Sequence, residues 1–142
     1  MIEATNLCYR RAHMCGIAGI VRAEGPRPED ADAVARMTAS LRHRGPDGHG
    51  LLTVGQATFG HRRLAIVDLS DDAAQPMTSE DGKTAITYNG EFYTFRELRR
   101  ELEADRAFVS QSDTEVVLAG YERWGDAVLE RLNGMYAFAI WD

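Results

Sequence analysis

The chain has little cysteine, no excess of positive charge and no long hydrophobic run, and each absence excludes a class of protein. Two cysteines among 142 residues, Cys8 and Cys15, cannot form a disulfide framework, and neither has the spacing to other cysteines or histidines that binds a metal. A reducing cytoplasm therefore fits best. The net charge is −6 and acids and bases are mixed along the chain, so the basic footprint of a nucleic-acid-binding protein is missing.

Hydrophobic segments are also too short for a membrane protein. No apolar stretch is long enough to span a bilayer, and residues 1–13 lack the apolar core of a signal peptide. The overall hydrophobic content of 44% is ordinary for a globular domain with a core. We therefore expect partners that are small molecules or protein surfaces, and neither nucleic acid nor membrane.

The apolar periodicity predicts a chain of mixed α and β structure. Strands are expected at 15–21, in three stretches of an antiparallel meander over 50–69, at 84–88 and at 134–142. Helices are expected over 31–41 and after Thr94 and Ser112, each of which has a glutamate three residues later and so fits a capping box. The last strand is so apolar that burial on both faces is expected, which predicts a parent protein that continues beyond Asp142.

Cys15 has two interpretations. By composition, a thiol in the run "CGIAGIV" is a small buried hydrophobe. However, Cys15 directly follows Met14, and removal of an initiator methionine would make it the first residue. An N-terminal cysteine carries its own base, because an α-amine with a pKa of about 7.7–8.0 accepts the thiol proton near neutral pH.

Two further segments combine a structural and a chemical interpretation. In "YNGEFY", the dipeptide Asn89-Gly90 is typical of a hairpin turn, but a side-chain amide beside an unhindered N–H also supplies two donors for an oxyanion. In "HRRLAIVDL", Arg62 and Arg63 fit a solvated strand edge, but an arginine guanidinium can also bind a carboxylate through two parallel hydrogen bonds.

Two acids are candidates for holding a substrate ammonium. Asp113 is expected in the first turn of a helix, where the helix dipole alone would account for an acid. Glu91 follows the Asn-Gly dipeptide. A ligand role is compatible with both positions, because loops and helix starts are where sites collect.

The order of motifs along the chain resembles one family. From Met14 to Asp142 the chain is similar to the glutaminase domain of glutamine-hydrolysing asparagine synthetases, through the segments "MCGIAGI", "LRHRGPDG", "HRRLAIVDLS", "AQPM", "YNGEFY", "SDTEVVLAGY" and "LNGMYAFAIWD". The resemblance implies an N-terminal nucleophile hydrolase fold. This is an α+β, four-layer αββα sandwich of two antiparallel sheets between helix layers, here truncated at its C-terminus.

The resemblance also implies roles for individual residues. Cys15 would attack the side-chain amide of glutamine while its α-amine moves the protons, and Asn89 and Gly90 would form the oxyanion hole. Arg63 would bind the α-carboxylate of glutamine, and Glu91 with Asp113 its α-ammonium. Backbone atoms of Arg63, Leu64, Ala65, Ile66 and Val67 would line the pocket. No metal is implied in this domain.

For the parent protein, the resemblance implies that ammonia from glutamine passes to an ATP- and Mg²⁺-dependent synthetase domain that converts aspartate to asparagine. No cofactor is expected in the glutaminase domain itself, and a homodimer of the parent enzyme is an associated expectation. Residues 1–13 are then an extension, a mis-assigned start or a removable leader, and residues 14–142 an incomplete glutaminase domain.

Two alternatives remain at this point. If residues 1–13 stay attached, the blocked amine of Cys15 would leave a silent glutamine-binding or structural module. Alternatively, the missing domain could form a different amide with another acceptor, since acceptor choice is made outside residues 1–142. The chain also has Thr94 where the family often has asparagine, and we expect little functional cost because both residues cap helices well.

Overall fold

The computed structural model of the chain describes residues 14–66 and 68–142. Six strands and three α-helices are found in these ranges: β1 Gly16–Val21, α1 Pro28–Ser40, β2 Gly48–Val54, β3 Ala57–Arg63, β4 Met77–Thr78, β5 Ala85–Phe92, α2 Phe95–Leu102, α3 Asp113–Trp124 and β6 Gly134–Trp141. None of the helices in the described ranges has the length and apolar character needed to cross a membrane.

The strands form two antiparallel sheets with helices outside them. Sheet A has the order β1-β3-β2 and sheet B the order β4-β5-β6. Helix α1 packs on the three strands of sheet A, β5 contacts β1 and β3 across the interior, and α3 packs on sheet B beside α2. The predicted α+β sandwich of four layers is therefore confirmed.

Two hydrophobic clusters hold these layers together. The larger lies between sheet B and helices α2 and α3, and the predicted helix stripe Leu98 and Leu102 belongs to it. The smaller joins the two sheets through Ala57, Phe59 and Ala85. Because both clusters contact β5, this strand is the central element of the described structure.

Strand β5 corrects one prediction from the sequence. The dipeptide Asn89-Gly90 forms no turn, because both residues lie in β5 opposite Ala137 and Tyr136 of β6. Neither has a positive φ, which a two-residue hairpin of the expected kind requires. A Cβ atom on Gly90 would lie 2.5 Å from the Met135 carbonyl oxygen, so glycine here permits close packing of the strands.

The third stretch of the expected meander is also not a strand. After β3 the described residues 64–66 and 68–70 form a loop. Side chains satisfy its backbone, since Leu64 N–H donates to Cys15 Sγ and Ala65 N–H donates to Asp47 Oδ2. These contacts replace a strand partner, and a hydrophobicity pattern cannot show them.

The helix starts agree in position but only partly in capping chemistry. Helix α2 follows Thr94 as its N-cap, but the Thr94 side chain makes no capping hydrogen bond, so that capping box is absent. Ser112 accepts the Glu115 N–H as predicted. The Glu115 carboxylate instead accepts from the backbone N–H groups of Val109 and Ser110, and so orders the loop before α3.

The expected burial of the last strand on both faces is wrong. In β6, none of the eight residues is fully buried, and Met135 is 60% exposed. Tyr136, Phe138 and Ile140 pack on the helix side, whereas Ala139 and Trp141 pack toward sheet A. Within the described ranges β6 pairs with β5 at one edge and ends sheet B at the other, so the strand is only partly covered.

His61 is a fully buried histidine on β3, and its burial makes stability depend on pH. Its Nε2 donates to the Tyr88 carbonyl oxygen at 3.1 Å, and its Nδ1 has no hydrogen-bond partner among the described residues. Burial lowers the pKa of His61 to about 4. Between about pH 6.5 and pH 4, the His61 imidazole is therefore mostly neutral in the folded chain and mostly protonated in the unfolded chain.

We expect the free energy of unfolding to fall by about 2 kcal/mol between pH 7.5 and pH 5 because of His61. A proton binds the unfolded imidazole as pH drops through about 6.5, while the folded one resists until about 4. Denaturant unfolding at the two pH values measures the difference. His61→Gln keeps a donor for the Tyr88 carbonyl and should reduce the change in the free energy of unfolding between these two pH values. The control His49→Asn, at an exposed position, should not reduce it. An equally large change in His61→Gln would contradict the role of His61.

Candidate active site

A cavity of about 250 Å³ opens where the start of β1, the end of β3, the strand β5 and the start of α3 meet. Its volume suits a small molecule. Polar and apolar side chains share its lining: Met14, Cys15, Arg63, Leu64, Ile66, Asp68, Ala73, Gln75, Tyr88, Asn89, Gly90, Glu91, Ser112, Asp113, Thr114 and Met135.

Cys15 places a thiol in this cavity immediately before β1. Its Sγ accepts the Leu64 N–H at 3.3 Å and lies 3.7 Å from the Leu64 carbonyl oxygen. Burial raises the pKa of the Cys15 thiol, and the charge of Asp113 raises it further, against the lowering effect of the Leu64 N–H. The thiol is thus protonated near neutral pH, and a base is needed to activate it.

Arg63, the last residue of β3, organises the loop beside Cys15. Its guanidinium donates to the carbonyl oxygens of Asp68 and Ser70 at 2.5 and 2.8 Å. The Asp68 carboxylate in turn accepts the Gln111 N–H at 2.7 Å, and this bond lowers the Asp68 pKa. A guanidinium has five N–H donors, so Arg63, which lines the cavity, has donors that these two bonds do not use.

The edge of β5 that faces the cavity carries a row of backbone N–H groups. Tyr88 N–H donates to the Gln75 side chain at 2.6 Å, and Phe92 N–H donates to Asp113 Oδ2 at 3.1 Å. In an antiparallel strand, alternate residues direct their N–H groups to the same edge. The Gly90 N–H therefore points to this edge between the other two, and Gly90 lines the cavity.

Asn89 lies on the opposite face of β5 from Tyr88. Thr87 lies on the same face as Asn89, and its hydroxyl donates to the Gly60 carbonyl oxygen of sheet A. Cys15 precedes the first strand of that sheet, so the Asn89 amide and the thiol share one side of the cavity. The Asn89 Oδ1 atom is buried and makes no hydrogen bond to any described residue.

Asp113 is the first residue of α3 and is 8% exposed. Burial raises the pKa of its carboxyl group, and the hydrogen bond from Phe92 N–H opposes this effect. The buried Tyr88 hydroxyl is near enough to feel the Asp113 charge but makes no hydrogen bond of good geometry, and burial with that charge raises the Tyr88 pKa. A cation bound in the cavity would stabilise the desolvated carboxylate.

The structure brings together most of the side chains that the sequence predicted as a site. The cavity contains Cys15, Arg63, Leu64, Ile66, Asn89, Gly90, Glu91 and Asp113. Ala65 does not line it, and its N–H is bound by Asp47 instead. Val67 lies outside the described residues. The expectations for residues 1–13 also fall outside them.

Sequence reasoning missed three residues that support the site. Arg44 donates from Nε to the Cys15 carbonyl oxygen at 3.1 Å, Asp47 fixes the loop after β3, and Gln75 connects β5 with Thr114. All three lie in motifs noted above, "LRHRGPDG" and "AQPM", but their partners are distant in sequence. The sequence pattern therefore identified the motifs but could not show the hydrogen-bond partners of these residues.

Comparison with known proteins identifies what the chain is similar to. The sequence profile of a family described as "Glutamine amidotransferase domain" matches residues 14–142. The chain is 41% identical over 132 residues to asparagine synthetase [glutamine-hydrolyzing] 3 of Bacillus subtilis, across 91% of this chain and 21% of that protein. It is 36% identical over 129 residues to asparagine synthetase [glutamine-hydrolyzing] of Asparagus officinalis, across 91% of this chain and 22% of that protein.

A solved structure shares the fold. Glutamine phosphoribosylpyrophosphate amidotransferase of B. subtilis superposes with a TM-score of 0.69 at 23% identity, covering 89% of this chain and 34% of that one. The similarity confirms the predicted fold, in which two antiparallel sheets pack between helix layers. The chain spans only about a fifth of the length of the curated relatives it matches.

Proposed function

This chain belongs to the glutamine amidotransferase domain family, and on that premise we propose that its cavity hydrolyses glutamine to glutamate and ammonia. One observation carries the proposal. A single cavity holds a thiol, a guanidinium, three carboxylates and Gly90, whose N–H lies on the edge of β5 that faces the cavity. This set matches the charges and the reacting amide of one α-amino acid with an amide side chain.

Substrate binding uses the charged groups at the wall of the cavity. The free donors of Arg63 bind the α-carboxylate, and Asp113 with Glu91 binds the α-ammonium. Asp113 is buried and its pKa is raised, so it gains most from a cation that compensates its charge. The glutamine side chain then extends toward Cys15 and β5.

The reaction proceeds through a thioester. The Cys15 α-amine accepts the thiol proton, and Sγ attacks the amide carbon while Asn89 Nδ2 and Gly90 N–H donate to the developing oxyanion. The amine returns the proton to the leaving nitrogen, which departs as ammonia. Water then attacks the thioester by the same route, releasing glutamate and regenerating the thiol.

This mechanism requires Cys15 to carry a free α-amine, so the mature protein must begin at Cys15. The decisive test is the intact mass and N-terminal sequence of the full-length protein, measured beside its glutaminase activity. A start at Cys15 with hydrolysis supports the proposal. Full activity in a protein that still carries residues 1–13 would overturn the mechanism, and an uncleaved protein that binds glutamine without hydrolysis would favour the silent module.

For the whole protein, we propose that the ammonia passes to a synthetase domain that converts aspartate to asparagine. The support is the names of the relatives, which are asparagine synthetases several times longer than this chain. ATP and Mg²⁺ would act in that domain; in residues 14–66 and 68–142 no group of His, Cys, Asp or Glu side chains could hold a metal ion. A cytoplasmic location and a homodimer complete this proposal, and a different amide acceptor is its alternative.

Asp113→Asn should raise KM for glutamine about 30-fold or more with a much smaller change in kcat. The asparagine can still accept the Phe92 N–H, but it cannot pair with the substrate ammonium. Loss of one partner of a buried charge pair costs about 2 kcal/mol or more. Steady-state ammonia release measures both constants. The control Asp126→Asn changes an exposed acid, and an unchanged KM in Asp113→Asn would remove it from the binding site.

A further inference from the structure

The edge of β5 that faces the cavity, opposite β6, loses its strand partner β4 just before the proposed oxyanion donors Asn89 and Gly90. Strand β4 has only two residues, which pair with Ile86 and Ala85. From Tyr88 onward, the backbone groups on this edge need another partner, since an unpaired buried N–H or carbonyl costs free energy. Gln75, two residues before β4, lies where the next strand residue opposite Tyr88 would be.

The Gln75 side chain takes the place of that strand. Its Oε1 accepts the Tyr88 N–H at 2.6 Å, and its Nε2 donates to Thr114 Oγ1 at 3.0 Å. At the same residue, His61 Nε2 donates to the Tyr88 carbonyl oxygen at 3.1 Å. Tyr88 is thus held at both backbone groups by side chains, and Gln75 connects it to the residue that follows Asp113.

This arrangement controls which N–H on the edge is left for a ligand. Side chains bind Tyr88 N–H and Phe92 N–H, while Gly90 N–H between them faces the cavity. Glycine has no Cβ to restrict its backbone, so the orientation of Gly90 depends on pairing with β6 at one edge and on the bonds of Tyr88 and Phe92 at the other. A rotation of the backbone at Tyr88 would move both proposed oxyanion donors, the Asn89 amide and the Gly90 N–H, within the cavity that also holds Cys15.

We propose that Gln75 is a positioning residue that fixes the oxyanion donors relative to the α-ammonium site through its bonds to Tyr88 and Thr114. The proposal rests on the proposed glutaminase function. It explains the glutamine in "AQPM": the side chain accepts from one partner and donates to another, which neither Met nor Leu can do.

The kinetic test compares Gln75→Met with the full-length unmodified protein. Methionine has a similar size but makes neither hydrogen bond, so we expect kcat for glutamine hydrolysis to fall about 10- to 100-fold with less than about a threefold change in KM. Gln56→Met is the matched control, since it removes a glutamine hydrogen bond to Ala23 far from the cavity. Equal kcat values in Gln75→Met and the unmodified protein would overturn the proposal.

A second measurement needs no turnover. Hydrogen–deuterium exchange with fragmentation to single residues should show at least about tenfold faster exchange of the Tyr88 amide in Gln75→Met, while Thr87 and Asn89, paired with β6, stay protected. Gln75→Glu keeps an oxygen for Tyr88 and should retain protection. Unchanged Tyr88 exchange in Gln75→Met overturns the Gln75 role, whereas absence of hydrolysis in the unmodified protein counts only against the proposed function.

Discussion

A Cys15→Ala variant is expected to lose glutamine hydrolysis by a factor of about 10⁴ or more. The side chain is the nucleophile of the proposed mechanism, and removal of a catalytic nucleophile costs several orders of magnitude in kcat. Only weak assistance from the oxyanion donors would remain. The measurement is ammonia or glutamate release from saturating glutamine, with enzyme concentration high enough to detect a rate 10⁴-fold below the unmodified protein.

Glutamine binding separates catalysis from folding in this variant. The Cys15 thiol contacts the backbone of Leu64, and an alanine leaves the charged groups of Arg63 and Asp113 in place. Calorimetry should therefore give a Kd for glutamine close to that of the unmodified protein. Persistent hydrolysis in Cys15→Ala would exclude the thiol as nucleophile.

The pKa of the thiol explains why its amine matters. A cysteine with a lowered pKa needs no base, but burial and Asp113 raise the pKa of Cys15. The described hydrogen bonds of Sγ are with the Leu64 backbone, so no imidazole in the described ranges takes the role of base through a direct bond. A free α-amine on Cys15 supplies a base of suitable pKa within the same residue as the thiol.

The sequence predicted the elements better than it predicted their ends and connections. The periodicity of Leu98 and Leu102 depends on local burial, and both residues are buried as expected. The dipeptide Asn89-Gly90 failed as a turn signal because pairing with β6, more than 40 residues away, determines its conformation. Propensity describes the isolated segment, and here a tertiary contact outweighs it.

The site was predictable where one residue type performs one chemical task. A thiol after Met14, an arginine at a strand edge and an acid at a helix start each indicated a role, and Cys15, Arg63 and Asp113 meet in one cavity. Gln75 was not predictable in the same way. Its task is to satisfy the edge that β4 leaves open, and only the short length of β4 in the folded chain creates that need.

The second large effect is expected at Asn89. We expect Asn89→Ala to lower kcat for glutamine hydrolysis about 10²- to 10³-fold with little change in KM, since an oxyanion donor acts in the transition state and less in the ground state. Its side chain is on the Cys15 side of β5, and its buried Oδ1 makes no hydrogen bond to a described residue. Steady-state kinetics gives both constants.

The controls for Asn89 distinguish charge stabilisation from strand packing. Asn89→Asp preserves the shape but offers no donor, so its kcat should fall at least as far as that of Asn89→Ala. Asn133→Ala removes an exposed asparagine just before β6 and should leave kcat unchanged. An Asn89→Asp variant with normal kcat would show that the amide gives no hydrogen bond to the oxyanion. The Gly90 N–H would then be the donor on which the transition state depends.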